Sequence, residues 1–440
     1  MLYAGVTTVD ISPWKGLELA GYPHYPRHNT GVHDPLYASC LYLRNGEDEL
    51  AFVTLDILFF SKKYLTAVRN KVEARCGISA RSIAVVCSHT HSAPWASGKL
   101  DMEALLEGRD DPDGEYVNFL VEAVARAIEL AKRDAFPAAL GAQSAVCGAE
   151  RGVGGNRREK GGICDPSVNV IAVRDENKII RGIFLSYALH PTFIHEDSDV
   201  VTADYPGSIR RCFAASYPQA VFGFAQGTSG DQSSRYFRTG QSYPEADRVG
   251  GEMYRAALEA IASMTFDEDP VLAAACAEIP IELRKYDPIP VLKDRAEQAA
   301  AEYERLKAAG ADYLCVQNAN LRMLGAEDIL GYATLMERGA RIRLLHDENP
   351  AEVMALRLGD ACIACFPGEV FVEYGLRVKE GSPFRLTLVT ELKGCLPGYC
   401  YTPESERTGG YEVDTSMLTR DFGEKMTDLL SQQVRKVWER

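Results

Sequence analysis

Apolar runs, some alternating with polar residues and some continuous, recur along the chain. They predict strands at 2–8, 37–44, 50–57, 83–88, 138–146, 168–174, 180–188, 220–225, 271–282, 353–359, 361–366 and 385–391. Between them apolar residues return every three or four positions, which predicts helices at 62–76, 115–133, 205–216, 242–263, 292–309, 321–338, 370–379 and 421–438. The two kinds of element interleave irregularly, and turn residues punctuate them at Ser12-Pro13, Asn45-Gly46, Gly154-Gly155-Asn156, Gly227 to Gly230 and Gly409-Gly410. This order, with several hairpin-like strand pairs in it, predicts an α/β fold built on mixed sheets in preference to a regular barrel. No linker rich in Pro, Ser or Gly and no internal repeat divides the chain, so a single domain over 1–440 is expected. Within it, Ala, Glu, Arg and Leu recur at helical spacing from about 284 to 345, which reads as a helical excursion from the sheets.

Composition narrows the function. Hydrophobic residues make up 46% and charged residues 25% of the 440, enough apolar material for a large core. A formal net charge of −14 opposes any general affinity for phosphate backbones, so nucleic acid is excluded as a general partner. No apolar stretch reaches the roughly eighteen residues of a membrane helix. Met1 to Asp10 contains no basic region followed by an apolar one, so no secretory signal is expected. The twelve cysteines are scattered singly, several inside strand-like runs, which suits reduced thiols and a cytoplasmic location. Cys362 and Cys365 form a CxxC, but residues three apart on a strand face opposite sides; they, and Cys395 and Cys400, are read as core packing.

Chemistry concentrates where two strands end. Ile83-Ala84-Val85-Val86-Cys87 runs into Ser88-His89-Thr90-His91-Ser92, and Gly182-Ile183-Phe184-Leu185 into Tyr187-Ala188-Leu189-His190-Pro191-Thr192. Imidazole is the commonest transition-metal ligand, and a strand end holds it rigidly while leaving it open to substrate. With the strand continuing through Ser88, His89 and His91 fall on one side. Alone, an HxH is equally compatible with two histidines lining a polar loop. The second block, followed by His195, Asp197, Asp199 and Asp204, raises the weight of a metal site, because a ligand histidine commonly hands its other ring nitrogen to a carboxylate. Asp204, ahead of Tyr205-Pro206-Gly207, also reads as a helix cap. His24, His28 and His33 lie among Tyr22, Tyr25 and Arg27 in a loop expected to rim a pocket.

Ser88-His89-Thr90-His91-Ser92-Ala93-Pro94 resembles the HTHSGP signature of the neutral ceramidase family. Ala188-Leu189-His190-Pro191-Thr192 with Thr202-Ala203-Asp204 is similar to that family's second histidine block. Further similarities follow in the family's order, from Gly5-Val6 to Asp10-Ile11-Ser12 and Ala20-Gly21-Tyr22, through Asn156-Arg157, Phe224-Ala225-Gln226 with Gly230-Asp231-Gln232-Ser233, and Phe366-Pro367-Gly368-Glu369. They end at Tyr399 in Gly398-Tyr399-Cys400-Tyr401-Thr402-Pro403 and Tyr411 in Gly410-Tyr411-Glu412.

The resemblance implies mixed sheets packed together and flanked by helices, and one zinc ion held by His89, His190, Glu369 and Tyr399. It places His91, Arg157 and Tyr411 around the reacting carbonyl, with His91 expected to move protons, Tyr411 to donate to the oxyanion and Arg157 to orient substrate. Ser233 stands at a serine read in the family as nucleophile or substrate-orienting hydroxyl, and orientation is preferred here. Asp231 is expected to fix its loop. The flanking residues Gln232, Ser234 and Arg235 depart from the family pattern. The immunoglobulin-like domain and secretion signal of ceramidases are not expected, the last element being an amphipathic helix from Leu418 to Trp438. The implied activity is zinc-dependent hydrolysis of a linear amide, on a small N-acyl substrate more soluble than ceramide. Ester or lactone cleavage, and an inactive binding protein of the same fold, are the alternatives. A dinuclear metallo-β-lactamase-like site is discounted, because HxHxDH is replaced by His91-Ser92-Ala93-Pro94. A homo-oligomer is compatible with all of these readings.

Overall fold

The computed structural model of the chain describes residues 1–96, 114–339, 348–394 and 398–440. Strands β1 (Leu2–Asp10), β2 (Tyr37–Asn45), β3 (Asp48–Leu55), β4 (Ile83–Cys87), β5 (Phe136–Val146), β6 (Ser167–Asp175), β7 (Ile180–Tyr187) and β8 (Val221–Gln226) form one sheet. Its order is β8-β7-β6-β5-β1-β2-β3-β4, with Phe266–Asp267 pairing onto β5. Within that path β8 with β7 and β3 with β4 are parallel, and the other neighbours are antiparallel. A second sheet joins β9 (Leu272–Ile279), β10 (Ala351–Leu358), β11 (Ala361–Cys365) and β12 (Leu386–Thr390) in sequence order, its last pair parallel.

The sheets face each other across a shared apolar core. Leu41, Leu43, Phe52, Ala84 and Val86 of the larger sheet meet Met354, Leu356, Ile363, Cys365 and Leu388 of the smaller. The outer faces carry helices. The pair α1 (Lys62–Cys76) and α2 (Gly114–Arg133) covers β1 to β4, and α3 (Tyr205–Ser216) with α4 (Tyr243–Ala262) covers β6 to β8. Next in the chain come α5 (Ile289–Ala308) and α6 (Tyr313–Glu337), packed together through Leu292, Ile329 and Ala333. The outer face of the second sheet is covered by α7 (Val372–Glu380) and α8 (Phe422–Trp438).

This layering explains why so many strands read as continuous apolar runs: both of their faces are buried. Val85 points toward the α1/α2 layer, while Ala84 and Val86 point into the core between the sheets. Cys362 faces α8, and Cys365 the inter-sheet core, as three-residue spacing on a strand requires. The eleven described cysteines are free, and Cys395 lies outside the described residues. Helix α2 lies so close to β1 that a Cβ at Gly5 would sit 1.7 Å from the Ala131 carbonyl oxygen, so no other residue fits there. Among the described residues no helix is long and apolar enough to cross a membrane.

The first sheet coils until its ends approach. Ser39 on β2 donates to the Phe222 carbonyl on β8 at 2.8 Å, and the Phe52 and Phe184 rings of β3 and β7 lie 6.3 Å apart. The exits of β4 and β7, far apart in strand order, are thereby brought together. Sequence patterning misses three details that matter there. Helix α6 begins at Tyr313, capped by the Asp312 carboxylate, because its apolar residues are spread around the helix and carry no clear stripe at its start. The expected excursion is thus the α5/α6 pair, and 340–345 lie outside the described residues. The two-residue pairing of Glu369–Val370 with Tyr399–Cys400 is too short to leave a periodic signal, and so are the helices Pro403–Thr408 and Tyr411–Asp414.

A buried ion triad ties α1 to the second sheet. Arg69 on α1 reaches both Glu352 oxygens on β10 at 3.0 and 3.1 Å, and fully buried Lys393 pairs with the same carboxylate. Burial alone would raise the Glu352 carboxyl, but Lys393 and Arg69 outweigh it and hold it at about 2 against an ordinary 4.5. A depressed carboxyl stabilises the fold above its unfolded value and loses that contribution as pH falls through the folded one. Replacing Glu352→Gln strands Lys393 in the interior, so urea unfolding at neutral pH is expected to show a loss of about 3–5 kcal/mol, with the difference from the parent protein narrowing below pH 4.5. A loss under about 1 kcal/mol would mean that Lys393 is satisfied without this partner.

Candidate metal centre and active site

Strand β4 ends at Cys87, not Ser88, and the chain turns at once: His89 has φ 69°, in the left-handed region, with its N–H on the Ile57 carbonyl at 3.0 Å. His89 and His91 therefore do not share a side through strand periodicity. The turn and the packing around it bring their rings to 4.9 Å between centroids. His190 lies beyond the end of β7, and its ring meets that of His89 at 4.7 Å.

Each ring is oriented by backbone carbonyls. Nδ1 of His89 faces Leu58 O at 3.3 Å, Nδ1 of His91 faces Gly21 O at 2.9 Å, and Nδ1 of His190 faces Ser229 O at 2.8 Å. A carbonyl only accepts, so Nδ1 carries a proton in all three, and in a neutral ring this leaves the Nε2 lone pair free. The carboxylate partners expected from the acidic loop do not fill this role. Asp204 caps α3, accepting from Tyr205 N at 2.7 Å and from Phe193 N and Ile194 N at 2.9 and 3.0 Å, and Glu196 pairs with His195.

Glu369 and Tyr399 are direct register partners in the short parallel pairing, so the two side chains leave the backbone side by side. An oxygen of Glu369 lies 3.3 Å from Nε2 of His89 and 3.3 Å from Nε2 of His190, and those two nitrogens are 3.2 Å apart. Ligand atoms held 2.0–2.1 Å from a four-coordinate ion are about 3.3 to 3.4 Å from one another, so the triangle has the edge of such a site. With both rings neutral, two such nitrogens and a carboxylate oxygen are three acceptors, and three acceptors this close repel unless a cation lies among them. Burial, then Arg157, lowers the His190 imidazole to about 4, which keeps it neutral as a ligand must be. His89, His91 and His190 also form a group whose ligand atoms all lie within 4.8 Å, so His91 stands beside the tight triangle; its Nε2 is buried with no hydrogen-bond partner among the described residues.

Sequence reasoning missed the carboxylate that braces this triangle. Glu391, fully buried just past β12, accepts from Ser229 Oγ at 2.7 Å and from Val370 N at 2.6 Å. It thereby joins the loop that orients His190 to the residue next to Glu369. The signal was available, since a charged residue directly ends the buried run Leu386 to Thr390, as the histidines do theirs.

Arg157 lies on the far side of Tyr399. It donates to the Tyr399 hydroxyl at 3.2 Å and to Gly230 O at 2.7 Å, and its Nε is 2.7 Å from Glu412, whose other oxygen takes Arg158 at 2.8 Å. Glu412 was also missed as a site residue, although it sits beside Tyr411 in sequence. Asp231 fixes its loop as expected, accepting from Val372 N at 2.8 Å and Asn156 Nδ2 at 3.1 Å. Ser233 ends a two-residue strand, Gln232–Ser233. It pairs with Gly155 in a two-residue ladder, and its hydroxyl accepts from Arg235 N at 3.2 Å with no base in reach among the described residues.

A cavity of about 270 Å³ opens over the triangle, lined by His89, His91, Glu369, Tyr399 and Tyr411, with Leu58, Phe59, Trp95 and Met417 as its apolar wall. Helix α6 supplies Glu327, Asp328 and Tyr332 to the lining. Of the three loop histidines only His24 reaches it, 3.3 Å from Asp328; His33 stacks on Tyr243 instead. Gly21 has φ 98°, and a Cβ there would lie 2.5 Å from the Cβ of His91, so this glycine sets the position of that ring.

No protein-family model matches the chain, and no curated protein matches it by sequence. Solved structures do. A crystal structure of neutral ceramidase from Pseudomonas aeruginosa is similar over 100% of this chain and 75% of its own, at 16% identity and a TM-score of 0.74. A structure described as ceramidase complexed with C2 is similar over the same shares at 14% identity and a TM-score of 0.75. The chain therefore has the fold of the neutral ceramidases, with mixed parallel and antiparallel sheets flanked by helices along its whole length.

Proposed function

We propose that this protein is a zinc-dependent hydrolase of linear amides, acting on an N-acyl compound smaller and more soluble than ceramide. The observation that carries the reading is the 3.2–3.3 Å triangle of His89, His190 and Glu369, which has the edge length of a four-coordinate metal site. His89, His190, Glu369 and Tyr399 hold one ion; two imidazoles, a carboxylate and a phenol oxygen suit zinc better than softer metals. Bound zinc supplies Lewis acidity and lowers the pKa of water. Burial and then Glu369 raise the Tyr399 phenol, and Arg157, donating to its Oη, offsets part of that rise.

The remaining chemistry belongs to side chains around the cavity. His91, neutral and with a free Nε2 lone pair, accepts a proton from attacking water and returns it to the nitrogen of the leaving amine. Burial raises the Tyr411 phenol, so it stays protonated and donates to the carbonyl oxygen as charge develops there. The fold shared with ceramidases supports amide cleavage.

Replacing His89 or His190 by Ala is expected to abolish both zinc retention, measured by elemental analysis after reconstitution, and hydrolysis. Full metal content in either variant would remove that residue from the ligand set. Tyr411→Phe should keep its zinc and lose about a hundredfold or more in kcat, and unchanged kcat would defeat the donor role. Gly21→Ala, which displaces the His91 ring, should also retain zinc while losing activity; loss of the metal instead would make His91 a ligand.

A further inference from the structure

A second, larger space adjoins the site. A cleft of about 600 Å³ shares Tyr411 with the smaller cavity and is walled by Arg157, Arg158, Arg235, Asn318 and Arg322. Its guanidinium groups differ in how they are neutralised. Arg157 and Arg158 both bind Glu412. Arg235 is half-buried and has no carboxylate within ion-pair distance among the described residues. It reaches only neutral acceptors, the Arg157 carbonyl and the Asn318 side chain, each at 3.4 Å. After burial, the main influence on Arg235 is the like charge of Arg157. A partly desolvated cation beside another cation is costly unless an anion comes to it.

The cleft's carboxylates leave Arg235 available. Glu412 is shared between its two arginines, Glu404 pairs with Arg407, and Asp231 is tied to the wall by Val372 N and Asn156. Glu159 is exposed to solvent, and neither it nor Glu373 makes an ion pair among the described residues. Arg235 is also the unpaired cation bonded closest to the reaction centre, since the Arg157 it touches donates to Tyr399.

We infer that the amine half of the substrate carries an anionic group, a carboxylate or a phosphate, which Arg235 binds in the larger cleft while the acyl half lies against Leu58, Phe59, Trp95 and Met417. This inference rests on the amide-hydrolase reading for the position of the scissile bond. Tyr411, common to both spaces, then stands where the two halves join.

The test compares the zinc-loaded parent protein with Arg235→Met and Arg235→Lys on N-octanoylglycine, N-octanoylethanolamine and the phosphate ester of the latter. The parent is expected to favour one of the charged compounds over the neutral one in kcat/KM. Arg235→Met should lower that ratio about ten- to a hundredfold, and Arg235→Lys should keep part of it. A ratio that does not move with Arg235 overturns the anion site and leaves the hydrolase reading standing. If the parent cleaves none of the three, the hydrolase reading falls, and calorimetric titration of the same compounds decides the anion site. Tighter binding of a charged compound that Arg235→Met removes supports it, and equal affinities reject it.

Discussion

Two imidazole nitrogens and a carboxylate oxygen converge to 3.2–3.3 Å, and much of the surrounding architecture serves to keep them there. Bonds made elsewhere hold them in place. The carbonyls of Leu58 and Ser229 pin the Nδ1 sides of His89 and His190, and the short pairing with Tyr399 pins the backbone of Glu369. Glu391 closes the arrangement from behind, bonded at once to Ser229 and to the residue following Glu369. Ser229 and Glu391 stand outside the cavity's lining, which is the usual division of labour between groups that bind a metal and groups that aim them.

The larger sheet makes this convergence possible. Its strands β4 and β7 are separated by five others in the hydrogen-bonded order, yet the coil of the sheet folds β8 back toward β2 and β3 and brings the two strand exits together. The second sheet delivers Glu369 from just beyond β11, and the chain after β12 delivers Tyr399. A centre assembled from both sheets depends on how tightly they pack, and the apolar layer between them together with the Glu352 triad fixes that packing.

Tyr399 and Tyr411 divide the site between two environments. On one side lie the triangle and the apolar wall of the smaller cavity; on the other lie arginines of unequal neutralisation. The Arg157–Glu412–Arg158 group is internally balanced and reads as scaffolding for Tyr399, whereas Arg235 is not balanced by any carboxylate in contact with it among the described residues. The chain combines the fold of the ceramidases with a polar cleft beside a candidate metal centre.

The sequence alone determined the main strands and helices, because burial on both faces of a strand and on one face of a helix leaves local patterns of apolar residues that follow the backbone period. It also marked the histidines, since polar residues directly ending apolar runs stand out, and the order of short motifs from Gly5 to Tyr411 pointed to the fold. Only the tertiary structure decided what those residues do together. It showed that His89 turns out of its strand, that carbonyls and not the acidic loop orient the imidazoles, and that the Ser233 hydroxyl accepts from Arg235 N. It also brought in Glu391, Glu412 and Arg235. Those outcomes depend on distances between residues tens to hundreds of positions apart, set by sheet coiling and by two-residue pairings that leave no periodic trace in the chain.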